Sequence, residues 1–276
     1  MLNRQFRDDS IAEYKKSEIE YEAAKISVMD ESEKLFGKRK YLKLIIEGNW
    51  NAIHRLKNQP RVMQLEVQKI EQGFKTYDTF LMEVETAIAA NQELQDALKS
   101  AVNGLNNANI RTTAAAIATT FGIASRGTMS GSVAAGASIA WLGGSVFSSG
   151  SLAIGSGLIG LTGPIGWGIV FATGLLQNGK NKKMGREARE KATALKKERV
   201  ALKQNEAEIK ELIDLTNQHY DGLQRLLNEV KPKLNTYSWD MQKIQQDQDL
   251  LERLAVWMNS LESATQLLNK KVGKAK

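Results

Sequence analysis

The sequence predicts an all-α protein: an elongated antiparallel bundle of long, coiled-coil-like helices with a central glycine-rich apolar helical hairpin. Apolar residues recur at seven-residue spacing in both halves of the chain, and only 3 of the 276 residues are proline. Alternation at period two, which is typical of strands, is absent from both halves. Two apolar positions in seven form a narrow stripe, here called a seam, which is buried only when another helix covers it.

Charge divides the chain into an N-terminal helical arm (1–111), a glycine-rich apolar hairpin (112–179) and a C-terminal helical arm (180–276). The first arm carries 17 basic and 17 acidic side chains, the hairpin carries only Arg126, and the last arm carries 20 basic and 14 acidic side chains. Nine of those basic residues fall within 180–199, directly after this segment with its single charge. This placement predicts an anionic surface as the partner.

The N-terminal arm is predicted to contain helices over residues 4–36, 38–58 and 61–105. Glycines weaken the join between the first two, and Pro60 ends the second so that the third begins at Arg61. The seam residues are Tyr14, Tyr21, Val28 and Leu35 in the first helix, and Met63, Val67, Ile70, Phe74, Tyr77, Leu81 and Val84 in the third.

The C-terminal arm repeats this spacing. Residues 184–230 are predicted to pack antiparallel against 61–110, because the two stretches have similar lengths and flank a hairpin. Pro232 removes a backbone donor, so we expect a kink or short break near Lys231, followed by a helix over 233–270. The seam residues include Leu195, Leu202, Ile209, Thr216, Leu223, Val230, Leu254, Leu261 and Leu268.

The central segment differs from the arms in composition. Fifteen of the 22 glycines lie between Gly122 and Gly179. Glycine costs about 1 kcal/mol in a water-exposed helix, whereas in a bilayer small residues let helices approach closely. Residues 128–148 and 152–177 each reach the roughly 20-residue length that a bilayer core requires, and Ser148–Ser151 supplies a turn.

We expect three sets of residues to act at a membrane. The membrane-inserting set is Val133, Ile139, Trp141, Leu142, Val146, Phe147, Leu158, Leu161, Ile165, Trp167 and Ile169. The helix-packing set, drawn from two ridges of small residues at four-residue spacing, is Gly136, Ala140, Gly144, Gly160 and Gly168. The set that contacts lipid headgroups, here called the basic foot, is Lys180, Lys182, Lys183, Arg186 and Arg189. The alternatives are a hairpin buried inside a soluble bundle and a basic run that is only a solvated helix face.

Other classes of site find no support in the sequence. The chain has no cysteine, and its two histidines, His54 and His219, belong to no recognisable metal or catalytic cluster. Gly155–Gly160 matches G-x-G-x-x-G but lacks the preceding strand and the following acidic residue of a dinucleotide site. The basic run has no interleaved aromatics. We therefore expect no enzymatic activity, cofactor, metal or nucleic-acid partner.

The first residues, MLNRQFRDDSIAEYKK, lack the apolar run of a secretory signal peptide. We expect the protein to be made soluble in the cytoplasm. It would then associate with a membrane or leave the cell by a non-classical route.

Two resemblances add to these expectations. Gly127–Ser132, followed by Ile139–Ser145, resembles a glycine-rich block of bacterial helical proteins without an assigned activity. The layout of long helices around an apolar hairpin resembles that of α-helical pore-forming toxins of the cytolysin A and haemolysin BL superfamily, and of apolipoprotein L channel-formers. This second resemblance implies a soluble form that hides the hairpin and an oligomer, with itself or with partner subunits, that inserts it.

A toxin, or a cell-death or phage-defence effector, is the function that follows from that resemblance. The alternative is a soluble coiled-coil scaffold or assembly subunit whose hairpin is a protein–protein surface.

Overall fold

The computed structural model describes residues 2–90, 107–121 and 178–273, and within them the chain is almost entirely helical without strands, which confirms the all-α prediction. The helices are α1 (Leu2–Ile53), α2 (Arg61–Ala90), α3 (Asn107–Phe121), α4 (Asn178–Thr236), α5 (Met241–Ile244) and α6 (Gln248–Asn269). The hairpin predicted for 128–177 lies outside the described residues.

α1 is one continuous helix, where the sequence predicted separate helices over 4–36 and 38–58. Gly37 and Gly48 both lie within it. Each glycine costs about 1 kcal/mol of helix propensity, whereas each fully buried large aliphatic side chain contributes about 1.5–3 kcal/mol. Three such side chains near the glycines are fully buried, namely Leu35, Leu42 and Ile46. Burial of this face therefore outweighs the weakness of the glycines.

α4 packs along α1 in the most extensive helix–helix contact of the described residues, and the two helices run parallel. Near their N-termini, Arg7 Nη1 donates to Asn181 Oδ1 (3.0 Å). Just beyond their C-termini, the N–H of Lys57 donates to the carbonyl of Trp239 (2.7 Å). The first residues of both long helices therefore lie at the same end of the bundle.

The sequence predicted that residues 184–230 pack against 61–110. In the structure, α4 packs against α1 instead. α2 packs mainly on α6 and α3 and runs antiparallel to α1: Lys43 Nζ lies 3.1 Å from Asp78 Oδ1, and the rings of Trp50 and Phe74 meet with centroids 5.5 Å apart. The seams of the long helices have similar compositions. Their seven-residue spacing alone therefore could not predict which helix packs against which.

The seam residues are confirmed as core positions. Buried members are Tyr14, Tyr21, Val28, Leu35, Val67, Ile70, Phe74, Tyr77, Val84, Leu195, Leu202, Ile209, Thr216, Leu223, Val230, Leu254, Leu261 and Leu268. Met63 and Leu81 are half-buried and pack against this core. The seven-residue spacing thus identified the buried face of every long helix described.

α4 continues through Pro232 and ends at Thr236, so the break expected near Lys231 does not occur. Pro232 is exposed, and water can therefore reach the carbonyl that loses its backbone donor. The neighbouring Val230 and Leu234 are both fully buried and hold this turn of the helix on the core.

We expect Leu223→Ala to lower the free energy of unfolding by about 2–5 kcal/mol, because Leu223 is buried in the seam and its truncation leaves a cavity. Val200→Ala, on the same helix but 53% exposed, is the control and is expected to change it by less than about 0.5 kcal/mol. Urea unfolding followed by circular dichroism measures both. Equal effects of the two substitutions would contradict the seam assignment.

Candidate functional site

The end of the bundle where α1 and α4 begin is strongly basic. Residues 1–16 and 180–197 together carry 12 basic and five acidic side chains, a net charge of +7 that equals the net charge of the whole chain. The remaining residues carry 26 basic and 26 acidic side chains and are neutral overall. We call 1–16 and 180–197 the basic end. Residues 180–197 supply six of these seven net charges, and the parallel packing of α1 and α4 brings the side chains of 1–16, which supply the seventh, to the same end.

The structure places most of the basic foot on the outer face of α4. Lys182, Lys183, Arg186 and Arg189 are exposed, while Lys180 lies in the first turn of α4 and its side chain is outside the described residues. The ammonium of Lys183 lies 3.8 Å from the carboxylate of Glu187 at the surface. An exposed pair of this kind contributes only about 0–1 kcal/mol, so it leaves the lysine able to contact another anion.

Small residues on the inner face of α4 bring the two helices close together at the basic end. A Cβ atom at Gly185 would lie 2.5 Å from the ring of Phe6, and Ala188 and Ala192 are buried. Further along, Lys196 donates a hydrogen bond to Glu13, which lowers the pKa of that carboxyl. The basic foot therefore lies on a part of α4 that packs closely against α1.

Glu198 is an acidic residue at the edge of the basic end with an unusual environment. Burial raises the pKa of its carboxyl to about 7. The buried phenol of Tyr21 also interacts with it: the pKa of Tyr21 is raised first by burial and then by the charge of Glu198. The hydroxyl of Tyr21 finds no hydrogen-bond partner among the described residues. Ionised Glu198 is therefore poorly accommodated between α1 and α4.

Three donors hold the last carbonyls of α3, where the chain leads into residues 122–177. The carbonyl of Thr119 accepts from Arg39 Nη1 (3.1 Å) and from Lys271 Nζ (3.2 Å). The carbonyl of Thr120 accepts from the N–H of Val272 (2.9 Å). Cations near a helix C-terminus are stabilising by about 0.3–1 kcal/mol, and more when partly buried. We call Arg39, Lys271 and Val272 the C-terminal clasp.

Arg39 is the central member of the clasp. It is 1% exposed, and no carboxylate in the described part of the chain pairs with it. Burial lowers the pKa of Arg39 to about 10, so the guanidinium stays protonated at neutral pH. Its Nη2 also donates to the carbonyl of Lys270. One side chain thus joins α1, the end of α3 and the residues that follow α6.

α3 depends on the clasp because most of its side chains are small. Every residue from Ala115 to Phe121 is buried, but only Ile117 and Phe121 are large. Burial of a methyl or methylene group contributes about 0.8 kcal/mol, whereas a hydrogen bond to a charged group contributes about 1.5–3 kcal/mol. The donors of the clasp therefore contribute as much as several of the apolar contacts of this helix.

The end of α3 and the start of α4, which flank residues 122–177, lie at different levels of the bundle and are here called the two anchors. α3 ends beside Arg39, whereas α4 begins beside Arg7. The 32 residues of α1 between these levels correspond to about 48 Å at 1.5 Å per residue. The end of α3 and the start of α4 are therefore far apart, although the sequence suggested two adjacent ends of one hairpin.

His54 is exposed in the turn that follows α1, and His219 is half-buried on α4. His54 packs against the ring of Trp50 (centroids 4.1 Å apart), and His219 lines a cavity of about 600 Å³ with Lys69 and Glu262. Burial lowers the pKa of His219. Within the described ranges, no group of three His, Cys, Asp or Glu side chains could hold a metal ion.

The membrane-inserting and helix-packing residues, from Val133 to Ile169, all lie outside the described residues. Among the helices that are described, none is both long enough and apolar enough to cross a bilayer. The residues that the sequence analysis missed are Arg39 and Glu198. Arg39 carried a usable signal, because it occupies a seven-residue position shared with Ile46 and Ile53 and so puts a charge where a core residue is expected.

We expect Glu198→Gln to stabilise the protein above pH 7 but not below about pH 4.5. The folded-state pKa of about 7 lies above the unfolded value of 4.5, so the folded state holds its proton longer. The free energy of unfolding of the natural chain therefore falls as pH rises from 4.5 to 7. For this half-exposed group the difference is about 1 kcal/mol after solvent screening. Urea midpoints at pH 4.5 and pH 8 measure it, and a gain that is equal at both pH values would refute the assignment.

We expect Lys271→Met to lower the free energy of unfolding by about 1–2 kcal/mol and to speed amide hydrogen exchange in α3, because Thr119 loses a charged donor. The ammonium also lies 4.0 Å from the ring centroid of Phe80, and this contact is lost too. Lys210→Met, an exposed change on α4, is the control. Exchange in α3 that responds equally to both changes would show that the clasp does not hold this helix.

Comparison of the chain with protein-family models, with curated proteins and with solved structures found no match to any of them.

Proposed function

We propose that this protein is membrane-active: it docks its basic end on an anionic membrane and inserts its glycine-rich hairpin as an α-helical pore-former, acting as a toxin or a cell-death effector. The observation that supports this most is the coincidence of two features. The whole net charge of the chain lies at the end of the bundle where α4 emerges from the segment 112–179, whose one charged residue is Arg126.

The charge of the basic end is sufficient for docking but not for insertion. Each Lys or Arg close to an anionic leaflet contributes about 1 kcal/mol, so the four exposed residues of the basic foot contribute about 4 kcal/mol. This attraction falls off within a Debye length of about 8–10 Å. Stable attachment therefore needs a second contribution, which we assign to the apolar side chains between Val133 and Ile169.

Insertion in this proposal involves release of the C-terminal clasp. A hairpin formed by 128–148 and 152–177, with its small-residue ridges packed together, has both ends at one level. The anchors beside Arg39 and Arg7 are about 48 Å apart along α1. The weakly held α3 is the anchor that moves, because α4 is fixed along its length by α1.

The proposal also covers assembly and location. We propose that the protein is made soluble in the cytoplasm, forms an elongated helical bundle there, and oligomerises with itself or with partner subunits at the membrane. It includes no catalytic step, cofactor, metal or nucleic acid.

A soluble scaffold or assembly subunit is the second candidate function, and the outer face of α1 favours it. Ile19, Ile26, Tyr41 and Leu44 are all more than half exposed on this one helix. Scattered exposed apolar residues are common, but several on one helix favour a protein–protein contact. A scaffold remains indifferent to lipid, which separates the two functions experimentally.

Vesicle binding with charge-reversed variants tests the proposed function. We expect the natural chain to bind and leak anionic vesicles, and Lys182→Glu with Arg186→Glu to weaken binding at least about tenfold, because both changes lie in the basic foot. Lys203→Glu with Lys231→Glu makes the same charge change at exposed positions of α4 outside the basic end and is the control. Absence of binding and leakage at every lipid composition, or equal loss in both variants, would overturn the proposal.

Gly144→Leu tests the insertion step separately. Leucine is a better helix former than glycine, so we expect the circular dichroism of the soluble protein to be preserved. The larger side chain should block close helix contact and abolish leakage while leaving vesicle binding intact. Normal leakage by this variant would exclude Gly144 from the assembly surface.

A further inference from the structure

α1 carries a second apolar stripe, opposite to its buried seam. Ile19 is 71% exposed and Ile26 is 55% exposed, and the alanines Ala12 and Ala23 on the same side are exposed as well. At 3.6 residues per turn these four positions fall within a sector of about 60°. The buried seam residues of this stretch lie on the other side of the helix, namely Tyr14, Tyr21 and Val28.

Charges of opposite sign border this stripe. Lys15 and Lys16 lie before Ile19, and Asp30 lies after Ile26. All three are exposed, and no ion pair of any of them occurs within the described residues. The part of the stripe from Ile19 to Ile26 therefore has basic side chains before it and an acidic side chain after it.

We propose that this stripe binds a second copy of the same chain, with the two α1 helices antiparallel and a two-fold axis near Ala23. In this alignment Ile19 packs beside Ile26 of the second copy, and Lys15 and Lys16 lie beside Asp30 of the second copy. Each contact occurs twice, as a two-fold interface requires. The small side chain of Ala23 at the crossing point lets the helices approach closely.

The charges select this alignment over the others. A parallel, in-register pair places Lys16 beside Lys16 of the second copy and Asp30 beside Asp30 of the second copy, which is repulsive at both ends. An antiparallel pair centred on Asp30 would use the exposed Tyr41 as well, but it places the two aspartates in contact. Of these three alignments, only the one centred near Ala23 pairs opposite charges at both ends.

The surface is small, which predicts a weak and reversible dimer. The stretch from Ala12 to Asp30 covers about 28 Å of helix, and an interface of one helix per partner falls at the low end of specific interfaces. This inference names the surface for the self-association that the proposed function includes. Because its test is made in water without lipid, its failure can be distinguished from failure of membrane binding.

Sedimentation equilibrium from about 1 µM to about 1 mM protein, with a charge exchange, tests the inference. Lys15→Glu with Lys16→Glu in one variant, and Asp30→Lys in another, are each expected to raise the dimer dissociation constant at least about tenfold, because like charges then meet. Combining the two variants in one chain, as a double charge exchange, restores the attraction and is expected to return the constant to near its original value. Lys38→Glu, another exposed lysine on α1, is the control.

The apolar contribution is tested with Ile19→Gln, which should weaken the dimer at least about tenfold. Val62→Gln replaces a 72% exposed residue on α2 and should leave it unchanged. A natural chain that stays monomeric throughout, or a double charge exchange that does not restore dimerisation, overturns the inference. If vesicles leak while the protein in water is monomeric, the inference is wrong and the proposed function stands. If the protein dimerises but neither binds vesicles nor makes them leak, the inference stands and the proposed function is wrong.

Discussion

Burial of the seam between α1 and α4, helices of 52 and 59 residues, holds the two longest elements of the described chain parallel. Both loops at their C-terminal ends take part, since Lys57 exchanges backbone hydrogen bonds with Trp239 and Met241. With the direction fixed in this way, both N-termini meet at one end and the basic residues of 1–16 and 180–197 become a single surface. An antiparallel pair would have separated them by the length of the bundle.

The same pairing explains why α3 and α4 hold residues 122–177 so differently. α4 is supported by α1 along most of its length, whereas α3 has 15 residues, few large side chains and a cap of three donors. Arg39 is expensive to bury without a carboxylate, and it is retained where it joins α1, α3 and the C-terminal residues. α4 is therefore a rigid anchor, whereas release of α3 requires the loss of only a few polar contacts.

The sequence was sufficient to predict helix and buried face, because a seven-residue spacing reports directly on one side of a helix. The prediction of helix ends was wrong at Gly37, Gly48 and Pro232, where the helices continue. Burial of the neighbouring side chains outweighs the low helix propensity of these residues. The pairing and direction of the helices were not predictable, because similar seams are interchangeable until loops fix them. The pKa of Glu198 likewise depends on which α4 residues face Tyr21, which only the assembled bundle determines. Four residues of the basic foot are exposed, namely Lys182, Lys183, Arg186 and Arg189, and their contact with lipid headgroups stays a prediction.

Distances between spin labels test the parallel pairing of α1 and α4 most directly, and a chain without cysteine allows each label to be placed alone. Labels at Lys16 and Lys197, exposed residues near the N-termini of the two helices, should lie within about 25 Å of each other. Labels at Lys16 and Lys243 should be about 60 Å apart, because some 41 residues of α1 separate their levels. The reverse order of the two distances would show that the helices are antiparallel, and the residues of 1–16 would then lie far from the basic foot.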